Sequence, residues 1–290
     1  MADSPSHKFG QLIGDLLEDI MVPELQAFCD ERGLYLDKKG ARGAARGGKK
    51  VTWVDKFGNN HDLDFVIEKN GTAHKRGRPL AFIEAAWRRY TKHSRNKAQE
   101  IQGAILPIAE KHVWDQPFLG TVLAGEFTDG SVTQMQSSGF KVMYFPYDTV
   151  VSAFAAVGIH AAFGEKTPHA DFQRAIDQVV ALSATQRDTL RNSLIEKNSA
   201  LLATFFSNLK DALDRKIQQI VLIPLHGGEN HFTDSAQARS FINAYNTAAG
   251  HDYTFRRFDI MVVYDNGSKV QLQFETKPEA VEFLEYIAGA

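Results

Sequence analysis

Cysteine is almost absent from this chain. Cys29 alone among 290 residues excludes an intramolecular disulfide and any zinc site built on a CxxC pair. Long apolar runs are missing too, and no stretch approaches the ~20 residues that a membrane-spanning helix needs. The opening MADSPSHKFG is polar and holds no apolar signal core, so a soluble, cytoplasmic protein is the expectation. No glycine-rich stretch has Walker spacing, which makes an NTP-binding loop a poor fit. No serine or cysteine stands in the context of an activated nucleophile. What remains is ordinary for a globular protein: 43% hydrophobic and 23% charged residues, in a chain long enough for one extended domain or two modest ones.

Acid is the second thing missing, but only locally. Residues 38–50 carry Lys38, Lys39, Arg42, Arg46, Lys49 and Lys50 without one carboxylate. Residues 75–97 carry Lys75, Arg76, Arg78, Arg88, Arg89, Lys92, Arg95 and Lys97 against Glu84 alone. These segments hold 14 of the 33 Lys and Arg but one of the 35 Asp and Glu, leaving 19 bases against 34 acids elsewhere. An acidic body with concentrated basic tracts points to a polyanionic partner; the plainer alternative is a solvated charged face. The stretch DKKGARGAARGGKK (37–50) reads as a flexible loop, either a mere linker or a segment that orders on phosphates.

Periodicity predicts the elements. Leu12, Ile13, Leu16, Leu17 and Ile20 predict a helix over 9–32, kinked or divided at Pro23 and stopped at Gly33. Three strands are expected next, at 51–54, 62–68 and 79–86, the first two as a hairpin. A helix over 96–112 is perturbed at Pro107, strands follow at 119–125 and 140–146, and Asp148 is placed to cap a helix over 147–158. From Thr167 the pattern turns helical to about residue 215. A β-α-β-β-α module then ends the chain, with a turn at Asp265-Asn266-Gly267 and a capping box from Thr276 to Glu279.

Two of these strands carry a carboxylate beside an apolar block: Asp64 opens FVI and Glu84 follows AFI. Such a group is costly to desolvate unless it meets positive charge, and the neighbouring basic tracts suit a phosphate backbone. Asp62 competes with Asp64, since alternation puts both on one face. Together with the α, β, β, β, α, β order over residues 9–160, these residues resemble the PD-(D/E)XK nuclease superfamily, above all its restriction-endonuclease-like members. The resemblance implies a mixed sheet flanked by helices, with Asp64 and Glu84 binding Mg2+, or Mn2+ in its place, and the Ala85 carbonyl as a further oxygen ligand. Glu18, four residues after Gly14 in the first helix, matches the outer glutamate of the family.

The chain departs from that pattern at one position. The family's lysine, which positions or activates the attacking water, is Ala86 here. Three readings stay open: a replacement that traps a substrate complex, a lysine relocated to Lys92 or Lys97, or a natural binding-only relative. Other features read more plainly. His61, His74 and His93 are surface histidines that could contact phosphate, with His93 also a candidate for proton transfer. Trp53, Trp87 and Tyr90 are core or stacking aromatics. His226, Glu229 and His231 lack metal-ligand spacing and read as a polar loop. The expectation is therefore an α/β protein with a restriction-endonuclease-like core at 1–165 and a helical connector plus small α/β module at 166–290. Its activity would be Mg2+-dependent cleavage of double-stranded DNA by metal-activated water, in a homodimer or higher homo-oligomer. Site residues are Asp64, Glu84, Ala85, Ala86 and Glu18. The phosphate contacts come from Lys38, Lys39, Arg42, Arg46, Lys49, Lys50, Arg88, Arg89, Lys92, Arg95 and Lys97. A catalytically silent nucleic-acid-binding or assembly module is the alternative, and a structural interaction protein a third.

Overall fold

Phe9, Ile13, Leu17 and Ile20 recur at helical spacing and are all buried, which folds the opening segment into α1 (Pro5–Arg32). The Ser4 hydroxyl accepts the His7 N–H at 3.3 Å, and Gly33 ends the helix in the left-handed region at φ 63°, where a side chain is disfavoured. Pro23 lies inside one continuous helix, because Met21 and Leu25 on either side of it are fully buried. The computed structural model describes residues 4–91, 94–225, 227–248 and 254–289. Among the described residues no helix is long and apolar enough to cross a membrane.

A mixed five-stranded sheet follows. It uses β1 (Tyr35–Lys38), β4 (Phe65–Lys69), β5 (Arg78–Arg88), β6 (Phe118–Gly125) and β7 (Lys141–Pro146) in the order β1-β4-β5-β6-β7. The first two pairings are antiparallel and the last two parallel. Parallel pairs need a crossover, supplied by α2 (Ser94–Lys111) and α3 (Asp129–Ser137). Val66, Phe82, Ala86 and Leu123 of the sheet pack with Ala98, Ile101 and Ile105 of α2 in one core cluster. Then comes α4 (Tyr147–Ala155), in which Asp148 lies inside the first turn and the cap position belongs to Pro146.

The expected strand over 62–68 is two strands. β2 (Val51–Val54) and β3 (Asn60–Leu63) form a separate hairpin, and β4 departs to pair with β1 and β5. The break is Asp64, whose carboxylate accepts the Ala85 N–H at 2.7 Å. Val51, Trp53 and Leu63 still return the hairpin to the α2 core.

The helical stretch consists of α5 (His169–Ala181), α6 (Ala184–Lys197) and α7 (Ser199–Leu213). The chain divides into Met1–Lys111 with Phe118–Asn208, and His112–Pro117 with Leu209–Ala290. The boundary expected at 165 thus moves to Asn208, because α5 packs on α1: the Phe172 ring lies 6.1 Å from Phe9. The second unit is a four-stranded antiparallel sheet in the order β11-β10-β8-β9. Its elements are β8 (Ile217–Leu225), β9 (Asn230–Phe232), α8 (Ser235–Ala244), β10 (Arg257–Tyr264), β11 (Lys269–Phe274) and α9 (Lys277–Ala288). Thr276 caps α9 by accepting the Glu279 N–H.

Candidate functional site

Antiparallel register pairs Phe65 with Ile83, which brings the Asp64 bend beside Glu84 in the middle of β5. Glu84 lies on the same strand face as Phe82 and Ala86, so its side chain is on the α2 side of the sheet, and is only 15% exposed. From α2, Lys97 brings its Nζ to 3.7 Å from Glu84 Oε1 and 3.7 Å from Glu100 Oε2. The other glutamate oxygen, Oε2, is buried with no hydrogen-bond partner. Thr121 Oγ1 is also buried without a partner, and Thr121 is the residue of β6 in register with Glu84.

The electrostatics follow from this crowding. Burial, followed by the charge of Asp64, pushes Glu84 up to about 8, and Lys97 offsets this only in part. Burial raises Asp64 as well, against the pull of the Ala85 N–H, Lys97 and Lys39. Glu18 is raised by burial and then by Asp64, and its carboxylate sits 3.6 Å from Lys39 Nζ. Asp62 is engaged differently: it accepts Lys50 Nζ at 2.6 Å and Thr52 Oγ1 at 2.7 Å, and Lys50 first among these lowers its pKa.

The donor set suits a hard divalent cation. Asp64 and Glu84 offer carboxylate oxygens, one of them an orphaned buried atom, and Ala85, next to Glu84 in β5, offers a carbonyl,. Among the described residues no cluster of three or more His, Cys, Asp or Glu side chains forms a ready-made metal cage. Two carboxylates and a carbonyl match the way Mg2+ is held with several waters retained.

Ala86 is a correction. It is 4% exposed and belongs to the apolar cluster of Phe82, Ala98, Ile101 and Leu123, so it contributes packing and no chemistry of its own. The basic candidates divide as well. Arg42 and Arg46 do not face a partner: both are buried, pairing with Asp37 at 2.6 and 2.9 Å, and Arg46 also grips Glu68. Arg46 further donates to the carbonyls of Thr72 and Lys75, so the expected flexible loop is a pinned one with a short 3-10 turn at Ala44–Arg46. Gly43 is required there, since a Cβ would lie 1.8 Å from the Ala73 carbonyl oxygen. Arg89 also turns inward, over the Tyr90 and Phe172 rings at 4.3 and 4.4 Å. Arg88 donates to the Trp87 carbonyl and reaches Glu100 at 3.5 Å. Lys38 is half-buried and reaches Gln26, Lys39 pairs with Asp15 and Glu18, and Lys50 pairs with Asp62. Lys49 and Arg95 are exposed. Lys92, His93 and His226 lie outside the described residues. His231 pairs with Glu229 in an exposed position.

Sequence reasoning named His61 and Asp62 singly but did not join them into a wall of the site. A cleft of about 280 Å3 is lined by Glu84 and Lys97 together with Asn60, His61 and Asp62 of β3. The signal was present: in a period-2 hairpin, His61 shares its face with the core residue Leu63 and pairs with Trp53, so it is not a surface histidine.

No family model matches the chain, and no curated protein matches it. Among solved structures, the chain is similar to a crystal structure of a protein of unknown function, AF1548, at 11% identity and a TM-score of 0.29, over 67% of this chain and 97% of the other.

Proposed function

We propose that this chain is a metal-dependent nuclease of the restriction-endonuclease-like, PD-(D/E)XK type that hydrolyses double-stranded DNA, with Lys97 serving in place of the lysine missing at position 86. The observation that carries the reading is Lys97 Nζ at 3.7 Å from Glu84 Oε1, where an ammonium group enters the carboxylate pair from α2. The strand order supports it: two antiparallel pairings precede a parallel crossover through α2, and both carboxylates fall at the β4–β5 edge of that crossover.

Asp64, Glu84 and the Ala85 carbonyl would hold the metal. A divalent cation supplies positive charge against the phosphate and water of lowered pKa. Asp64 is kept in place by the Ala85 N–H, so its second oxygen is presented at a fixed position. Lys97 compensates the carboxylates through Nζ and orients a water or a phosphate oxygen beside Glu84. Phe82, Ala86 and Ile101 back the site with apolar surface, and the low polarity on that side strengthens each of these interactions,. Two copies of the chain would supply the two sites needed to cut both strands.

The test is cleavage of supercoiled plasmid with Mg2+ or Mn2+, comparing the chain with Asp64→Asn and Lys97→Ala. Nicking and linearisation by the parent, lost in both variants, is the expected result. Salt-sensitive DNA binding with no cleavage by the parent makes the chain a silent nucleic-acid-binding module. Neither binding nor cleavage makes it a structural interaction protein.

A further inference from the structure

The hairpin wall of the cleft holds a second chemical device. Asp55, the residue that follows β2, is only 2% exposed. Its Oδ1 accepts the N–H groups of Phe57 and Asn59 at 2.8 and 2.9 Å, and its Oδ2 accepts Asn59 Nδ2 at 3.1 Å and His61 Nε2 at 2.8 Å. Burial by itself would raise Asp55, but these hydrogen bonds, led by His61, overcome it and hold the carboxyl well below the usual range,. Asp55 is therefore an ionised acceptor, and His61 Nε2 must be the donor. That fixes the ring. Among the described residues no partner engages Nδ1, so Nδ1 is the nitrogen left for the cleft.

Placement gives this pair its meaning. The His61 side chain is 22% exposed and lines the same cleft of about 280 Å3 as Glu84 and Lys97. That volume lies near the lower bound of ordinary ligand sites, so the imidazole, the carboxylate and the ammonium border one small cleft. Lys97 and Glu84 belong to the α2 and β5 walls, and His61 to the hairpin. The other charged groups on this cleft are Asp62, held by Lys50, and Glu100, shared by Lys97 and Arg88.

Resting on the nuclease reading above, we propose that His61 is a catalytic residue that protonates the departing bridging oxygen, with Asp55 as its positioning residue. The water oxygen forms a bond to phosphorus, the bond from phosphorus to the bridging oxygen breaks, and its electron pair goes to that oxygen, which takes the Nδ1 proton of the imidazolium form of His61 and leaves the neutral ring with its Nε2 hydrogen on Asp55. The proton released by the attacking water passes to solvent, and solvent reprotonates His61. The products are a phosphate monoester and an alcohol, so atoms and charge balance. A buried carboxylate that orients an imidazole for proton transfer is a recurrent arrangement.

The test uses the full chain with Mg2+ and two oligonucleotide duplexes, one normal and one with the departing bridging oxygen replaced by sulfur. A thiolate leaves without needing a proton. His61→Asn and His61→Gln are compared with the parent, and thermal melting verifies that each variant folds. The expected result is a loss of about 10²- to 10³-fold on the normal duplex and less than about 3-fold on the sulfur duplex. An equal loss on both duplexes assigns His61 a structural role and overturns the proposal, as does no loss on either. A parent that cuts neither duplex overturns the nuclease reading, and this inference with it. A parent that cuts both, with variants behaving alike on the two, overturns the inference alone.

Discussion

Two groups of buried carboxylates and cations sit along the same sheet, and they differ in whether their hydrogen bonds close. Asp37 of β1 and Glu68 of β4 enclose Arg46, with Arg42 beside it. Asp37 accepts from both arginines, and Glu68 accepts Arg46 Nη2 at 3.0 Å and the Gly77 N–H at 2.6 Å. Arg46 spends its remaining donors on Thr72 and Lys75 carbonyls. Asp64 accepts the Ala85 N–H, and Glu84, by contrast with the closed cluster, has only the Asp64 backbone N–H and an ammonium at 3.7 Å, with one of its oxygens left without a partner. Buried charges that are fully hydrogen-bonded hold a structure in register, whereas buried charges that are not are held in place by the rest of the fold and favour any ligand that completes them. The first cluster is structural for that reason, and the second is the candidate site.

The comparison breaks most visibly at Glu84. Glu84→Gln is expected to lower plasmid cleavage by at least about 10⁴-fold, or more than ~5 kcal/mol in transition-state stabilisation, yet to stabilise the metal-free protein in alkaline solution. The sign follows from its titration. Folding raises Glu84 from 4.5 to about 8, so the folded state keeps a proton that the unfolded state releases. Its contribution is complete below pH ~4.5 and is lost as pH rises through 8. Parent protein without metal should therefore lose about 4 kcal/mol in urea unfolding between pH 5 and pH 9, and Glu84→Gln should lose markedly less. Mg2+ should raise the melting temperature of the parent more at pH 8.5 than at pH 6, because metal and proton compete for the same oxygens. A variant less stable than the parent at pH 9 would contradict the reading of Glu84 as an unsatisfied acid.

Arg46→Met probes the closed cluster. Removing the cation leaves Asp37 and Glu68 buried together, with an expected cost of 3–5 kcal/mol (~) in urea unfolding. Metal affinity should change only as far as the folded fraction does. A loss below about 1 kcal/mol would show that the cluster is wetter than its burial implies.

Lys97 and Ala86 then separate a relocated lysine from a missing one. Lys97→Ala should cost about 10²- to 10³-fold in cleavage, or ~3–4 kcal/mol, with little change in DNA affinity. Ala86→Lys should not rescue it. Position 86 is 4% exposed within the α2 core, and an ammonium group forced there should cost about 3 kcal/mol in stability. Cleavage restored in the Ala86→Lys, Lys97→Ala double variant would show instead that the original geometry is still available.

Much of the fold was legible because apolar periodicity reports burial directly. Phe9 to Ile20 in α1, and Phe258, Ile260 and Val262 alternating in β10, needed nothing beyond their spacing. The carboxylates were legible for the same reason, as charges interrupting apolar blocks. What spacing could not give was pairing over distance. Arg46 is 22 residues from Glu68, and nothing local distinguishes an arginine that will be enclosed from one that will meet solvent. The break at Asp64 was hidden because a single side chain accepting the Ala85 N–H replaces a continuous strand. The short strands β1 and β9 and the helix α3 are too brief or too polar for a periodic signal. His61 was legible as a histidine that could contact phosphate but not as an inward-facing one, because that face depends on β3 belonging to the hairpin rather than to β4.

The smallest effect is expected on the surface, and it sorts the basic residues by what the two clusters leave free. Lys49 and Arg95 are exposed, whereas Arg42 is consumed by Asp37. If Lys49 or Arg95 meets one phosphate, replacing it by alanine should weaken DNA binding by less than ~1 kcal/mol and reduce the slope of log affinity against log salt by about 0.9. Arg42→Met should leave that slope unchanged while lowering the unfolding midpoint in urea. Filter binding across a salt series, with a urea titration beside it, places each residue on one side or the other. A reduced slope for Arg42→Met at full folding would move the 38–50 segment back to the nucleic-acid surface and erase the distinction between the two clusters.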